Sequence, residues 1–103
     1  MQPQGHLQLT VGMVAAGLNP QEAIDLPRFC IADGTRDGKI FLEEGVDEKV
    51  VQGLKDRGHE LITKVSGYDR AIFGRAQIIK RVRTTGVYWA GSDGRADGCA
   101  IGF

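Results

Sequence analysis

A chain of 103 residues in which 42% of the side chains are apolar has material for one small core and no more. Its 13 Lys and Arg balance its 13 Asp and Glu, so no overall field favours nucleic acid or an anionic membrane as a partner. The longest apolar run, 7–18, is broken by Gln8, Thr10 and two glycines and is too short to cross a bilayer; with no Lys/Arg-rich leader visible either, the pattern slightly favours the cytoplasm.

The stretch 1–29 is expected to organise the rest. After a polar, Gly-bearing start (Gln2 to His6), two periodicities compete. Leu7, Leu9, Val11 and Met13 alternate as in a strand, while Leu7, Val11, Val14, Ala15 and Leu18 form a helical stripe. The Ala-Ala-Gly ending decides for a helix over 7–17, with Gly17 as its left-handed C′ residue. Asn19-Pro20 then supplies an N-cap and first-turn proline, Glu22 completes a capping box, and a second short helix runs to about Leu26. Pro27 stops it. The later elements are expected to pack on the apolar part of the first helix.

Two apolar-rich runs, 28–32 and 39–43, flank a loop marked by Asp33-Gly34 and Asp37-Gly38 and predict an antiparallel hairpin. Val46, Val50 and Leu54 fall on one face of a helix that Gly58 ends. A strand over 60–65 follows, with Leu61 and Val65 on one side, and Ser66-Gly67 marks a loop. Strands at 76–82 and 87–90 are joined by Thr85-Gly86, and two turns bracket Arg95 before a last strand over 99–103. The fold class is α+β: helices on one face of a mostly antiparallel sheet, in a single partial domain over 1–103.

No nucleophilic constellation is visible among the threonines and serines, and His6 and His59 are not at metal-ligand spacing. No metal or cofactor is implied. His59 reads as a surface residue and His6 as packing against the first helix. Cys30 and Cys99 read as two reduced, buried thiols, with a single disulfide between them as the alternative. The stretch from Asp93 to Asp97 lacks the ligand spacing of a calcium loop and reads as a turn holding an Asp–Arg pair. Arg28, set between Pro27 and Phe29, is expected to be buried against a carboxylate, Asp93 or Asp97. Trp89, Tyr88 and Phe73 are expected in a core or an interface.

Five segments carry a family resemblance. MQPQGH at 1–6, GLNPQEAIDLPRF at 17–29, LEEGVDEKVVQGLKDRGHE at 42–60, FGRAQ at 73–77 and GSDGRADGCAIGF at 91–103 occur in the order found in one family. The chain resembles the C-terminal part of the small subunit of γ-glutamyltranspeptidases and their acylase-like relatives, which are N-terminal nucleophile hydrolases. Gly94 stands where that family usually has proline, and Ala76 replaces a common glycine. The resemblance implies the C-terminal portion of an αββα sandwich.

It also implies a parent enzyme that transfers or hydrolyses a γ-glutamyl or similar acyl group through an acyl-threonine intermediate. The family's threonine nucleophile and its oxyanion-stabilising Gly-Gly pair match no position in this sequence, so no catalytic residue is carried over. Gln2, Gln4 and His6, nearest the position of those glycines, are the expected pocket-lining residues. The implied partner is the remainder of the enzyme, the large subunit and the N-terminal part of the small one. A non-catalytic interaction or assembly module that associates with itself is the alternative.

Overall fold

A computed structural model describes residues 1–102. Helix α1 spans Gln2–Val14 and α2 Pro20–Asp25, followed by strands β1 (Phe29–Ile31) and β2 (Ile40–Glu43). Helix α3 (Glu48–Asp56), strand β3 (Leu61–Val65), a 3₁₀ turn over Gly67–Phe73, and strands β4 (Gln77–Arg81) and β5 (Tyr88–Ser92) complete the order. The chain divides into two compact units. One comprises Met1–Gly5 and Pro27–Gly74; the other comprises His6–Leu26 and the segment from Arg75 on.

The first unit is built on a three-stranded sheet, β1-β2-β3. The expected hairpin is present, with Phe29 opposite Leu42 and Ile31 opposite Ile40 in antiparallel register. Because α3 carries the chain from β2 to β3, those two strands run parallel. Ile40, Leu42 and Val51 form the buried cluster, and Phe29, Ile31, Val46, Leu54 and Leu61 pack against it. The helical stripe is therefore Val51 with Leu54, and Val50 is exposed. The reason is where the helix starts. Asp47 is its N-cap, accepting a 2.7 Å hydrogen bond from Lys49 N–H, so Val46 lies outside the helical repeat from which Val50 was counted.

Gly58 ends α3 as expected. At φ +87° its N–H donates to Lys55 O while His59 N–H donates to Leu54 O, the paired bonds of a Schellman motif. The β2–β3 pairing slips between Phe41 and Glu43, where β3 carries one extra residue. Lys64 in that bulge is the only non-glycine with positive φ (+58°) among the described residues. Beside the bulge, β2 buries Leu42 and Glu43 in succession instead of alternating.

The second unit contains most of α1, all of α2 and the antiparallel pair β4–β5. The capping box predicted for α2 is complete: Asn19 Oδ1 accepts from Glu22 N–H and Glu22 Oε2 from Asn19 N–H, both at 2.9 Å. The start of α2 lies so close to β5 that a Cβ on Gly91 would sit 2.9 Å from Gln21 N. Only glycine fits there.

Four expectations need correction. The polar start is not a loop: α1 begins at Gln2 and takes in His6, and it ends at Val14, although Gly17 has the predicted left-handed φ of +69°. The apolar residues of α1 do not form the core; Leu7, Val11 and Val14 are exposed and only Gly12 is buried, against Ala23, Leu18 and Leu26. Of the three aromatics expected in a core or an interface, only Phe73 is core; Tyr88 is 68% and Trp89 47% exposed. Residues 99–102 form no strand, the chain there making no ladder, and Phe103 lies outside the described residues.

Candidate functional site

In the first unit the polar centre is Glu43, buried at the end of β2. Its Oε2 accepts from Arg28 N–H at 2.9 Å, and its Oε1 lies 3.6 Å from the Arg70 guanidinium. Arg28 is 3% exposed, and its Nη1 donates to the carbonyls of Phe73 and Gly74 at 3.2 and 3.4 Å. Those two carbonyls end the 3₁₀ turn, so the guanidinium ties that turn to β1. A buried charge held in this way fixes geometry more than it adds stability.

Gln4, an expected pocket residue, projects from the first turns of α1 and is half-buried. Its amide meets Ile31 twice: Nε2 donates to Ile31 O at 3.1 Å and Oε1 accepts from Ile31 N–H at 2.8 Å. Ile31 is on edge strand β1, and its outward-facing peptide groups are those that a further strand would occupy. The glutamine side chain takes that place. Gln2 and His6 are exposed on the same helix.

The second unit repeats the device. Gln21 Nε2 donates to Ser92 O at 3.0 Å and Gln21 Oε1 accepts from Ser92 N–H at 2.9 Å, so an α2 side chain completes the edge of β5. One residue on, Asp93 is 1% exposed. Its Oδ2 accepts from Ala76 N–H at 2.9 Å, and its Oδ1 accepts from Arg95 N–H and Nη1, both at 3.0 Å. Arg95 Nη1 also donates to Ile24 O at 2.8 Å and Nη2 to Leu26 O at 3.0 Å, so the guanidinium closes the C-terminal end of α2, where carbonyls lack helical partners.

The predicted Asp–Arg turn is thus present as Asp93 with Arg95. Ala76 has negative φ, so its replacement of a glycine carries no backbone strain. Arg28 and Asp93 are both buried, in different units, and Asp97 is exposed. Sequence reasoning did not single out Glu43, Arg70 or Gln21. The adjacent acids Glu43-Glu44 beside a strand were a signal for the first. Nothing distinguishes Gln21 from an ordinary first-turn polar residue.

Both cysteines are free. Cys30 is buried as expected, whereas Cys99 is exposed. Burial pushes the Cys30 thiol above its ordinary pKa, opposed by the N-terminal ammonium, which keeps it protonated and unreactive near neutral pH. His59 is on the surface, as read. The Thr35 N–H and hydroxyl, both 2.9 Å from Asp33 Oδ1, hold that carboxyl below its usual value.

The helices and antiparallel-rich sheets form an α+β fragment, and the solved structures that share its fold are N-terminal nucleophile hydrolases. The fold matches that of cephalosporin acylase from Bacillus halodurans with a TM-score of 0.80 and 37% identity, over 94% of this chain and 17% of that one. CapD, a transpeptidase of Bacillus anthracis, matches in fold with a TM-score of 0.76 at 22% identity, over 98% of this chain and 57% of that one.

The family model described as Gamma-glutamyltranspeptidase matches residues 1–103. The chain belongs to the γ-glutamyltranspeptidase family. The Glutathione hydrolase-like YwrD proenzyme of Bacillus subtilis (strain 168) is 36% identical to it over 104 residues, which is 99% of this chain and 19% of that protein. The chain therefore spans about a fifth of the length of this curated relative. No helix among the described residues is long and apolar enough to cross a membrane.

Proposed function

We propose that these 103 residues are the C-terminal scaffold of a γ-glutamyltransferase or glutathione hydrolase-like enzyme, and that by themselves they turn over no substrate. The observation that carries the reading is the end-to-end family match combined with coverage of only a fifth of a proenzyme relative. The parent chemistry is acyl transfer or hydrolysis through an acyl-threonine, with γ-glutamyl peptides or N-acyl side chains as donors. In it the scaffold sets the positions of the helix and sheets behind the oxyanion hole. Gln2, Gln4 and His6 are the residues proposed to approach the pocket. Gln4 would do so as a fixed wall, because its amide is committed to Ile31.

The test is release of a chromogenic γ-glutamyl anilide by the chain alone and after mixing with a family member's N-terminal portion that ends at the Gly-Gly pair. Activity in the mixture only is the expected result. Activity of the chain alone would overturn the reading. A second reading, a non-catalytic assembly module, is favoured by the exposed Leu7, Val11 and Val14 of α1, and predicts activity in neither sample.

A further inference from the structure

The start of α1 is weakly specified by its own sequence. Gln2-Pro3-Gln4-Gly5 puts proline in the first turn, where its missing N–H is no loss, but no acid lies there to meet the helix dipole, and glycine is a poor helix former. Its place is set from outside the helix. The Gln4 amide makes two hydrogen bonds, of 3.1 and 2.8 Å, to the single residue Ile31, and a planar amide held through both its nitrogen and its oxygen is fixed in direction as well as distance. The Met1 side chain covers Gly74, where a Cβ would lie 3.7 Å from Met1 Cγ. Gly74 has φ +80° and ψ 179°, a region open in practice to glycine alone, and its carbonyl accepts from Arg28 Nη1.

Met1, Gln4, Ile31 and Gly74 all belong to the first unit. Their contacts are internal to the chain and stand whatever the rest of the parent protein covers. A clasp on the first turn also fixes the direction from which the chain enters the helix. Donors to a developing oxyanion act only within about 2.7–3.1 Å of it, and misplacement by about 1 Å can cost roughly 100-fold in rate.

We infer that Gln4 is a positioning residue for the parent reaction: its clasp on Ile31 holds the first turn of α1, and the chain entering that turn, where the oxyanion-stabilising backbone requires them. This rests on the function proposed above, in which the helix stands behind the oxyanion hole. Gln4 acts through the helix, its amide being engaged by Ile31, so its loss is felt in turnover and not in substrate affinity.

The test is kcat and KM for the chromogenic γ-glutamyl anilide, with the chain complemented by a family member's N-terminal portion and each variant chain at saturating concentration. Gln4→Met keeps length and helix propensity but has no amide; kcat should fall about 10- to 100-fold with KM within about twofold of wild type. In the chain alone, exchange at Ile31 N–H should quicken in this variant while circular dichroism keeps its helix signal, which separates a lost clasp from unfolding. Gln4→Glu supplies a pH signature. A protonated carboxyl offers one donor and one acceptor, as the amide does, and the clasp it makes raises its folded-state pKa above the ordinary value of about 4.3. The ratio of its kcat to that of wild type should therefore recover as pH falls through that raised value, whereas the ratio for Gln4→Met stays flat.

Wild-type turnover accompanied by full kcat in Gln4→Met, by a loss confined to KM, or by a Gln4→Glu ratio that ignores pH would overturn the inference and leave the proposed function intact. Where Gln4→Met unfolds the chain, the Gln4→Glu ratio decides. A wild-type mixture without turnover would overturn the proposed function, and the role of Gln4 with it.

Discussion

In the first unit Ile40, Leu42 and Val51 are buried against five further apolar side chains, whereas the second buries Pro20, Ala23, Ile24 and Ala76 beside the Asp93–Arg95 pair. Both carry side chains that bond backbone groups across long stretches of sequence, Gln4 and Arg28 in the first and Gln21 and Arg95 in the second, but the first adds the larger area removed from water. Apolar packing degrades gradually when a methylene is lost, because neighbours relax into the space. A polar clasp fails at once, because the remaining partner stays buried and unpaired. The second unit should therefore be the more brittle of the two.

The largest effect tests this contrast directly. Asp93→Ala removes the carboxylate partner of an Arg95 side chain that is 4% exposed, leaving its charge with carbonyl partners, and also strips Ala76 N–H of its acceptor; it should cost about 3–5 kcal/mol in urea-induced unfolding. A cost under about 1 kcal/mol would mean that water reaches Arg95 readily, and the contrast between the units would collapse. Leu42→Ala should cost about 3 kcal/mol, with loss of amide-exchange protection concentrated in β1, β2 and α3. Loss spread evenly over β4 and β5 would show that the units do not behave separately.

Gln21→Ala leaves both Ser92 peptide groups without their side-chain partner and is expected to cost about 2 kcal/mol, read from exchange at Ser92 N–H. Asn19→Ala removes the capping box of α2 at about 1 kcal/mol. The smallest effect concerns thiol accessibility. At neutral pH a disulfide reagent should modify one cysteine, Cys99, in the native chain and both in urea. Because the Cys30 thiol is raised, its contribution to stability is complete below the unfolded-state pKa and is lost as pH rises through the folded value, so any pH effect belongs to the alkaline side. Rapid labelling of Cys30 at neutral pH would show that the first unit opens locally.

What was legible in the sequence was short-range. Asn19-Pro20-Gln21-Glu22 specifies its own cap, Gly58 its own Schellman turn, and Ser92-Asp93-Gly94-Arg95 an Asp–Arg turn, because each motif is satisfied within a few residues. The choice of Val50 over Val51 as the inward residue failed because Val46, from which the face was counted, precedes the Asp47 cap and lies outside the helical repeat. Glu43 was missed because its burial depends on an extra residue across the sheet in β3, at Lys64. The clasps of Gln4 and Gln21 bridge 27 and 71 positions, and no local pattern announces them. The family was nonetheless readable, since five separated segments in a fixed order record long-range constraints that local physics cannot supply.

Both glutamine clasps have a chemical consequence. Each holds its strand edge with an N–H donor and the carbonyl acceptor of a primary amide, Gln21 Nε2 donating also to Asp25 Oδ1, and the carboxylate produced by deamidation has two acceptors and no donor. Hydrolysis at Gln4 or Gln21 would turn a strand mimic into a negative charge aimed at the carbonyl oxygen of Ile31 or Ser92. Exchange of a single nitrogen for oxygen would then undo an edge that no change of shape had disturbed, so the age of a preparation is written in two atoms.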